Sequence, residues 1–146
     1  MDLVIVYQAM LTVIIGVLVY AFGEIAVKFF VEPVNVLSQT IGEVLDTLIY
    51  YANIYTNPVR EGESESKEMS ELRKEAQKTL RQKGTLLISR ANRVRWYTIS
   101  SFFRILPKKD NIKEAHRELI LLSNSCFTCD ALKTYKSSER ITELLA

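Results

Sequence analysis

Residues Leu3 to Gly23 read LVIVYQAMLTVIIGVLVYAFG, 21 residues without a single charge. As a helix, this run would be ~31 Å long, about the thickness of a bilayer hydrocarbon core. Backbone amides find no water to bond in lipid, so a lone spanning segment has to be helical, and whatever follows it hangs from one membrane face. A secretory signal peptide would need a basic n-region, a shorter apolar core and a small-x-small cleavage site. Here Asp2 is the only charge ahead of the apolar run, and the run is too long. The segment reads as a membrane anchor. All 19 Lys and Arg lie at or after Lys28, so the positive-inside rule places the N-terminus outside and the rest of the chain in the cytoplasm. Tyr7 near one end, and Tyr20, Phe22, Phe29 and Phe30 near the other, stand where interfacial aromatics belong.

Within the span, Ala9, Gly16 and Gly23 recur every seven residues, with Thr12 on nearly the same face. Small residues let helix backbones approach closely where lipid removes any hydrophobic drive between them. The stripe suggests self-association, although Gly and Ala are common in any membrane helix. Gln8, one turn before Thr12, could hydrogen-bond between subunits or face a water-filled lumen.

After the span, apolar residues continue to Val31 with Glu24 and Lys28 spaced as an i, i+4 pair. Pro33 disfavours helix at the residue before it, so a kink or a new start is expected near Glu32. Residues 1–31 are thus read as the membrane helix with its juxtamembrane extension, and 32–146 as a cytoplasmic helical domain. From Val34 the apolar positions 34, 37, 41, 44, 48, 52 and 55 step by threes and fours, the stripe of an amphipathic helix. Thr56, Asn57 and Pro58 end it. Residues 59–67, VREGESESK, read as a flexible acidic loop. A third helix from Ser66 or Lys67 turns Met69, Leu72, Ala76, Leu80, Leu86 and Leu87 inward, with Gly84 expected to kink or end it. Arg90 to Leu106 is predicted helical, packing Val94, Tyr97, Phe102, Ile105 and Leu106 and stopping at Pro107. Asn111 with Glu114 has capping-box spacing for a helix through Ile112, Ala115, Leu119 and Leu122. A short last helix starts at Ser138 and carries Ile141, Leu144 and Leu145. The expected fold is all-α, one transmembrane helix followed by a bundle of four or five helices, and the roughly 110 residues after the anchor suffice for one core but not two.

Net charge is only +2 but unevenly spread: between Ala76 and Lys109 lie nine basic residues and no Asp or Glu. These are Lys78, Arg81, Lys83, Arg90, Arg93, Arg95, Arg104, Lys108 and Lys109. Such an island attracts phosphate, in anionic lipid headgroups or in nucleic acid. A domain tethered beneath a negatively charged leaflet makes lipid the simpler partner. Trp96 and Tyr97 beside Arg93 and Arg95 would supply stacking surfaces for RNA, the second reading.

Catalytic and metal chemistry find little here. The chain has one histidine, His116, on a predicted helix among Glu114, Arg117 and Glu118, which read as a solvated or ion-paired face. The ribonuclease pattern of HEPN domains wants an Arg shortly before the His, and the nearest preceding one is Arg104. Five scattered glycines make no phosphate loop. Cys126 and Cys129 form one CxxC without the strand of a redox unit or further zinc ligands, and read as reduced thiols packed like small apolar residues. No enzyme activity, cofactor or metal is expected. A crevice between Asn53, Asn124 and Arg117 would suit a small polar ligand, but helix capping and core packing explain those positions more simply.

Three phrases, YYANIYTNP (50–58), ELRKEAQKTLR (71–81) and EAHRELILLSNS (114–125), resemble in content and order a widespread, largely uncharacterised group of short bacterial and archaeal one-pass membrane proteins. The chain departs from that group at Gly84 to Thr98, where the group often has a proline-containing break. The resemblance implies a prokaryotic inner membrane. In layout alone the chain is similar to the small membrane accessory proteins of type VI CRISPR systems, which assemble into a pore. The combined expectation is a non-enzymatic homo-oligomer acting as a membrane assembly or pore-forming effector, with a tethered module recruiting RNA or a protein to the inner leaflet as the alternative.

Overall fold

The computed structural model describes residues 2–57, 66–127 and 131–146, so most of the acidic loop, and Cys129, lie outside the described residues. α1 (Asp2–Ala26), a π-helical turn (Val27–Val31) and α2 (Glu32–Tyr50) follow one another as a single rod. The stretch Leu3–Tyr50 holds one run long and apolar enough to cross a membrane, and no part of that run is buried within the chain.

The break expected before Pro33 does not occur. Pro33 has no N–H to give to the carbonyl of Phe29, and its ring crowds the preceding turn. The chain accommodates both by widening one turn: the Glu32 amide donates to Val27 O, five residues back. One extra residue in a turn lets the rod pass the proline without stopping, as π-bulges do.

α2 stops at Tyr51, and the short α3 (Ala52–Thr56) resumes after it. The Tyr55 hydroxyl donates to Leu48 O at 2.8 Å, satisfying a carbonyl at the break. α4 (Lys67–Arg93) begins where the sequence predicts, with the Ser66 hydroxyl accepting from the Met69 amide. It then runs straight through Gly84, contrary to expectation. Its buried positions are Arg73, Ala76, Leu80, Gly84, Leu87 and Ala91, whereas Met69 and Leu86 are exposed. At Gly84, α4 closely approaches α6 (Lys109–Ser125). A Cβ there would stand 3.4 Å from His116 Nδ1 and 3.4 Å from Leu119 Cβ, and His116 Nδ1 lies 2.9 Å from Gly84 O.

The segment predicted as one helix from Arg90 to Leu106 is divided at Val94–Trp96, leaving α5 (Tyr97–Phe102). Val94, Tyr97 and Leu106 are buried, but Phe102 and Ile105 are exposed, against the sequence reading. α5 ends in a Schellman-type closure: Arg104 N–H bonds to Ser101 O and Ile105 N–H to Ser100 O. The closing residue Arg104 has φ 56°, the left-handed conformation usually left to glycine.

α6 starts at Lys109, with Lys108 in place of Asn111 as its cap residue and no side-chain cap bond; Pro107, two residues earlier, already fixes where the helix can begin. Its inward stripe, Ile112, Ala115, Leu119 and Leu122, is as predicted. α7 is longer than predicted, Ala131–Leu145, because Thr134 buries its hydroxyl on Tyr55 O at 2.8 Å and anchors the helix ahead of the apolar residues.

Pairings across the helices fix the topology. Glu43 meets Lys83, Thr40 meets Arg90 and Phe30 meets Trp96, so α4 runs antiparallel to α2. Gly84–His116 and Arg81–Asn124 make α6 antiparallel to α4. Glu114–Arg140 makes α7 antiparallel to α6. The domain is therefore an up-and-down arrangement of four long helices, α2, α4, α6 and α7, with α3 and α5 as short corners at its two ends. No strand occurs among the described residues.

Candidate functional site

Three places concentrate what the sequence singles out: the surface of α1, the foot of the domain next to α1, and its far end.

On α1 every residue from Leu3 onward is exposed. Ala9, Thr12, Gly16 and Gly23 fall within about 60° of helix arc, and a Cβ on Gly16 or Gly23 would meet nothing within 4 Å. Thr12 Oγ donates to Gln8 O of its own helix at 2.9 Å, so its hydroxyl needs no partner in another subunit. The stripe is open to lipid or to another helix.

The nine cations do not form one island. Lys78 stands about 22 Å along α4 from Arg93. Lys83 is spent on Glu43, at 3.0 Å, and Arg90 bonds the Thr40 hydroxyl while lying 4.0 Å from the same carboxylate. The Lys83 hydrogen bond holds the Glu43 carboxyl below the usual glutamate range. Arg81 donates to Asn124 Oδ1 at 2.6 Å, which ties up one wall of the crevice suggested for Asn53, Asn124 and Arg117. The remaining cations gather at the foot. Arg95 lies over the Phe29 ring at 5.8 Å, and Arg93 and Arg95 join Lys28 and Glu32 around a cleft of about 310 Å³. Arg104, Lys108 and Lys109 follow on the turn after α5, Lys109 standing 6.0 Å over the Tyr97 ring. Burial pushes the Tyr97 phenol up to about 12, and its hydroxyl holds the turn by donating to Pro107 O at 2.7 Å.

At the far end, a residue the sequence reading passed over does the joining. Arg73 is 4% exposed. Its guanidinium donates to Ile54 O at 2.7 Å, Cys126 O at 3.0 Å and Asn57 O at 2.6 Å. These carbonyls close α3 and α6, whose last carbonyls have no amide of their own helix to accept from. The phrases YYANIYTNP and ELRKEAQKTLR therefore meet at one side chain, which also holds Cys126, the residue after EAHRELILLSNS. Asn57 contributes through its backbone oxygen.

His116 is half-buried on Gly84 O, and its neighbour Glu114 is ion-paired with Arg140 at 3.0 Å, as a structural face would be. Cys126 is a buried free thiol, raised above its ordinary pKa by burial. Among the described residues no three His, Cys, Asp or Glu side chains come together in a metal-binding group.

The chain matches no protein-family model, no curated protein and no solved structure. The resemblance to short one-pass membrane proteins therefore rests on the quoted phrases alone.

Proposed function

We propose that this chain is a non-enzymatic single-pass membrane protein, anchored by α1 with its helical domain in the cytoplasm, that acts by assembling with copies of itself in the inner membrane of a prokaryote. The observation that carries this reading is the bareness of α1. Its apolar side chains, Leu3, Val13, Tyr20 and Phe22 among them, are exposed along the whole helix while the domain beside it has a closed core of its own. Lipid and neighbouring α1 helices are the surroundings that such a surface calls for, and the open small-residue stripe offers the closest approach. Assembly into a pore-forming effector, and a part in antiviral defence, extend this reading.

The test compares particle masses in mild detergent for wild type, Gly16→Leu and Val17→Leu. Leu at position 16 separates helices that pack on the stripe, whereas position 17 lies about 100° around the helix. The reading expects an oligomeric wild type that Gly16→Leu reduces and Val17→Leu leaves intact. A monomeric wild type would rule out a pore, since one helix encloses no channel.

The second reading, a tethered module that brings RNA or a protein partner to the inner leaflet, is favoured by Lys78. It is exposed, and the stretch 76–109 in which it lies carries no acid. Retention of labelled RNA by the detergent-purified protein, lost in Lys78→Gln, would promote it.

A further inference from the structure

α5 and the turn that follows it show a combination that no folding role explains. Trp96, Ile99, Phe102, Phe103 and Ile105 are 52%, 48%, 82%, 67% and 59% exposed. Phe102 and Ile105 line one cleft, and the Phe102 and Phe103 rings stack edge-to-face with centroids 5.5 Å apart. The residues of α5 that face the core are different ones, Tyr97 and Ser100. A six-residue helix whose polar Ser100 points in and whose Ile99 and Phe102 point out is inverted for a soluble protein.

Two further observations say what covers this surface. It adjoins the end of the apolar rod: the Trp96 ring lies 5.5 Å from Phe30 and Arg95 lies over Phe29. Cations also border it: Arg104 and Lys108 line one cleft with Phe102 and Ile105, and residues 95–109, RWYTISSFFRILPKK, contain no acid. Arg104 takes a left-handed conformation, φ 56°, where glycine would be less strained, so the charge is held at the rim against a local cost. Apolar side chains with Trp and Phe on one side and Lys and Arg at the edge fit the headgroup boundary of an anionic leaflet.

We propose that α5 and its following turn are a second membrane contact, an interfacial wedge whose Phe102, Phe103 and Ile105 enter the acyl boundary of an anionic leaflet while Arg95, Arg104 and Lys108 hold lipid phosphates. This rests on the reading of α1 as the anchor. The cleft between Lys28, Arg93 and Arg95 sits at the seam of the two contacts and admits a headgroup beside the rod; Glu32, which also lines it, leaves the cleft net positive. With two contacts the tilt of the rod in the bilayer is fixed, where α1 alone would leave rod and domain free to tilt together.

The experiment uses the full chain in nanodiscs of phosphatidylcholine with or without phosphatidylglycerol. Trp96 is the chain's one tryptophan, so Trp96→Phe combined with Phe102→Trp moves the single indole to the tip of the wedge. The indole at position 102 is expected to emit blue-shifted, to be quenched by lipids brominated near the glycerol end, and to be shielded from aqueous acrylamide, chiefly when anionic lipid is present. Arg104→Gln in that background should lower the docked-to-undocked ratio about fivefold, the effect of one cation near a charged leaflet. Retention in the discs with the indole open to acrylamide in both lipids would overturn the wedge and leave the anchor standing. Shielding from both quenchers would overturn it too, by showing a protein cover. Equal bromine quenching in both lipids would overturn the role of the cations. Failure to be retained in discs at all would overturn the anchor, and the wedge with it.

Discussion

Arg73 is a charge nine-tenths buried whose guanidinium donates to Ile54 O, Asn57 O and Cys126 O. That arrangement depends on the shape of guanidinium, a planar fork with five donors, which can serve three carbonyls belonging to two helix ends at once. Removing it strands those carbonyls in a dry place, so Arg73→Met should cost ~3 kcal/mol, judged from about 1–3 kcal/mol for each orphaned buried group with partial relaxation. Arg73→Lys, with one compact ammonium, should recover no more than about half of that. Denaturant unfolding of the detergent-solubilised protein measures both, and wild-type stability in Arg73→Met would remove the residue from its joining role. The sequence hid Arg73 for a plain reason. Reading α4 by hydropathy selects Met69, Leu72, Ala76, Leu80, Leu86 and Leu87, but the buried positions are Arg73, Ala76, Leu80, Gly84, Leu87 and Ala91. A buried arginine and a buried glycine are the two residue types that such a reading skips, and both mark close approaches of backbone.

Elements were legible where one periodicity governed them. The α6 stripe and the Ser66 start of α4 follow from spacing and capping chemistry alone. Corners were not, because they are decided by tertiary contacts: Tyr55 OH on Leu48 O stops α2, and Tyr97 OH on Pro107 O fixes the turn after α5. Phe102 and Ile105 were read as core because a large apolar residue in a short segment looks the same in sequence whether it is buried or exposed. At the α4–α6 crossing, Gly84→Ala gains about 1 kcal/mol of helix propensity but brings a methyl to 3.4 Å from His116 and Leu119, so its thermal midpoint should barely move. Gly84→Leu has no room between the helices and should destabilise by about 2 kcal/mol or more, as overpacking does. Between α2 and α4, Glu43 gives a pH signature. Its folded pKa is depressed, so its contribution is present above the unfolded value of 4.5 and is lost as pH falls through the folded value. The Glu43 and Lys83 side chains are 33% and 24% exposed, so screening by water limits the pair to about 0.5 kcal/mol. Glu43→Gln should therefore be slightly less stable than wild type at neutral pH and match it in acid, and a gap that widened below pH 4.5 would contradict the assignment.

At the scale of the whole molecule, the continuous rod from α1 into α2 couples α1 to the bundle without a hinge, because the π-turn carries the helix past Pro33. The sequence located the long apolar helix and the helical class of the domain. It did not show that α4 returns the chain to the end of the anchor, bringing Arg93, Arg95 and Trp96 beside Lys28, Phe29 and Phe30. That return divides the basic residues: Arg93 and Arg95 lie beside Lys28 and Phe29, whereas Lys78 stands about 22 Å from Arg93 along α4. The most direct measurement of the central claim, an α1 that spans the membrane with its domain on the cytoplasmic face, is thiol accessibility at Lys78, which is exposed on α4. In a Lys78→Cys, Cys129→Ser protein, with Cys126 left in place because it is 1% exposed, an impermeant maleimide should label membrane-bound protein in inside-out vesicles and leave it unlabelled in intact cells. Labelling in intact cells, or labelled protein recovered only in the soluble fraction, would contradict the account.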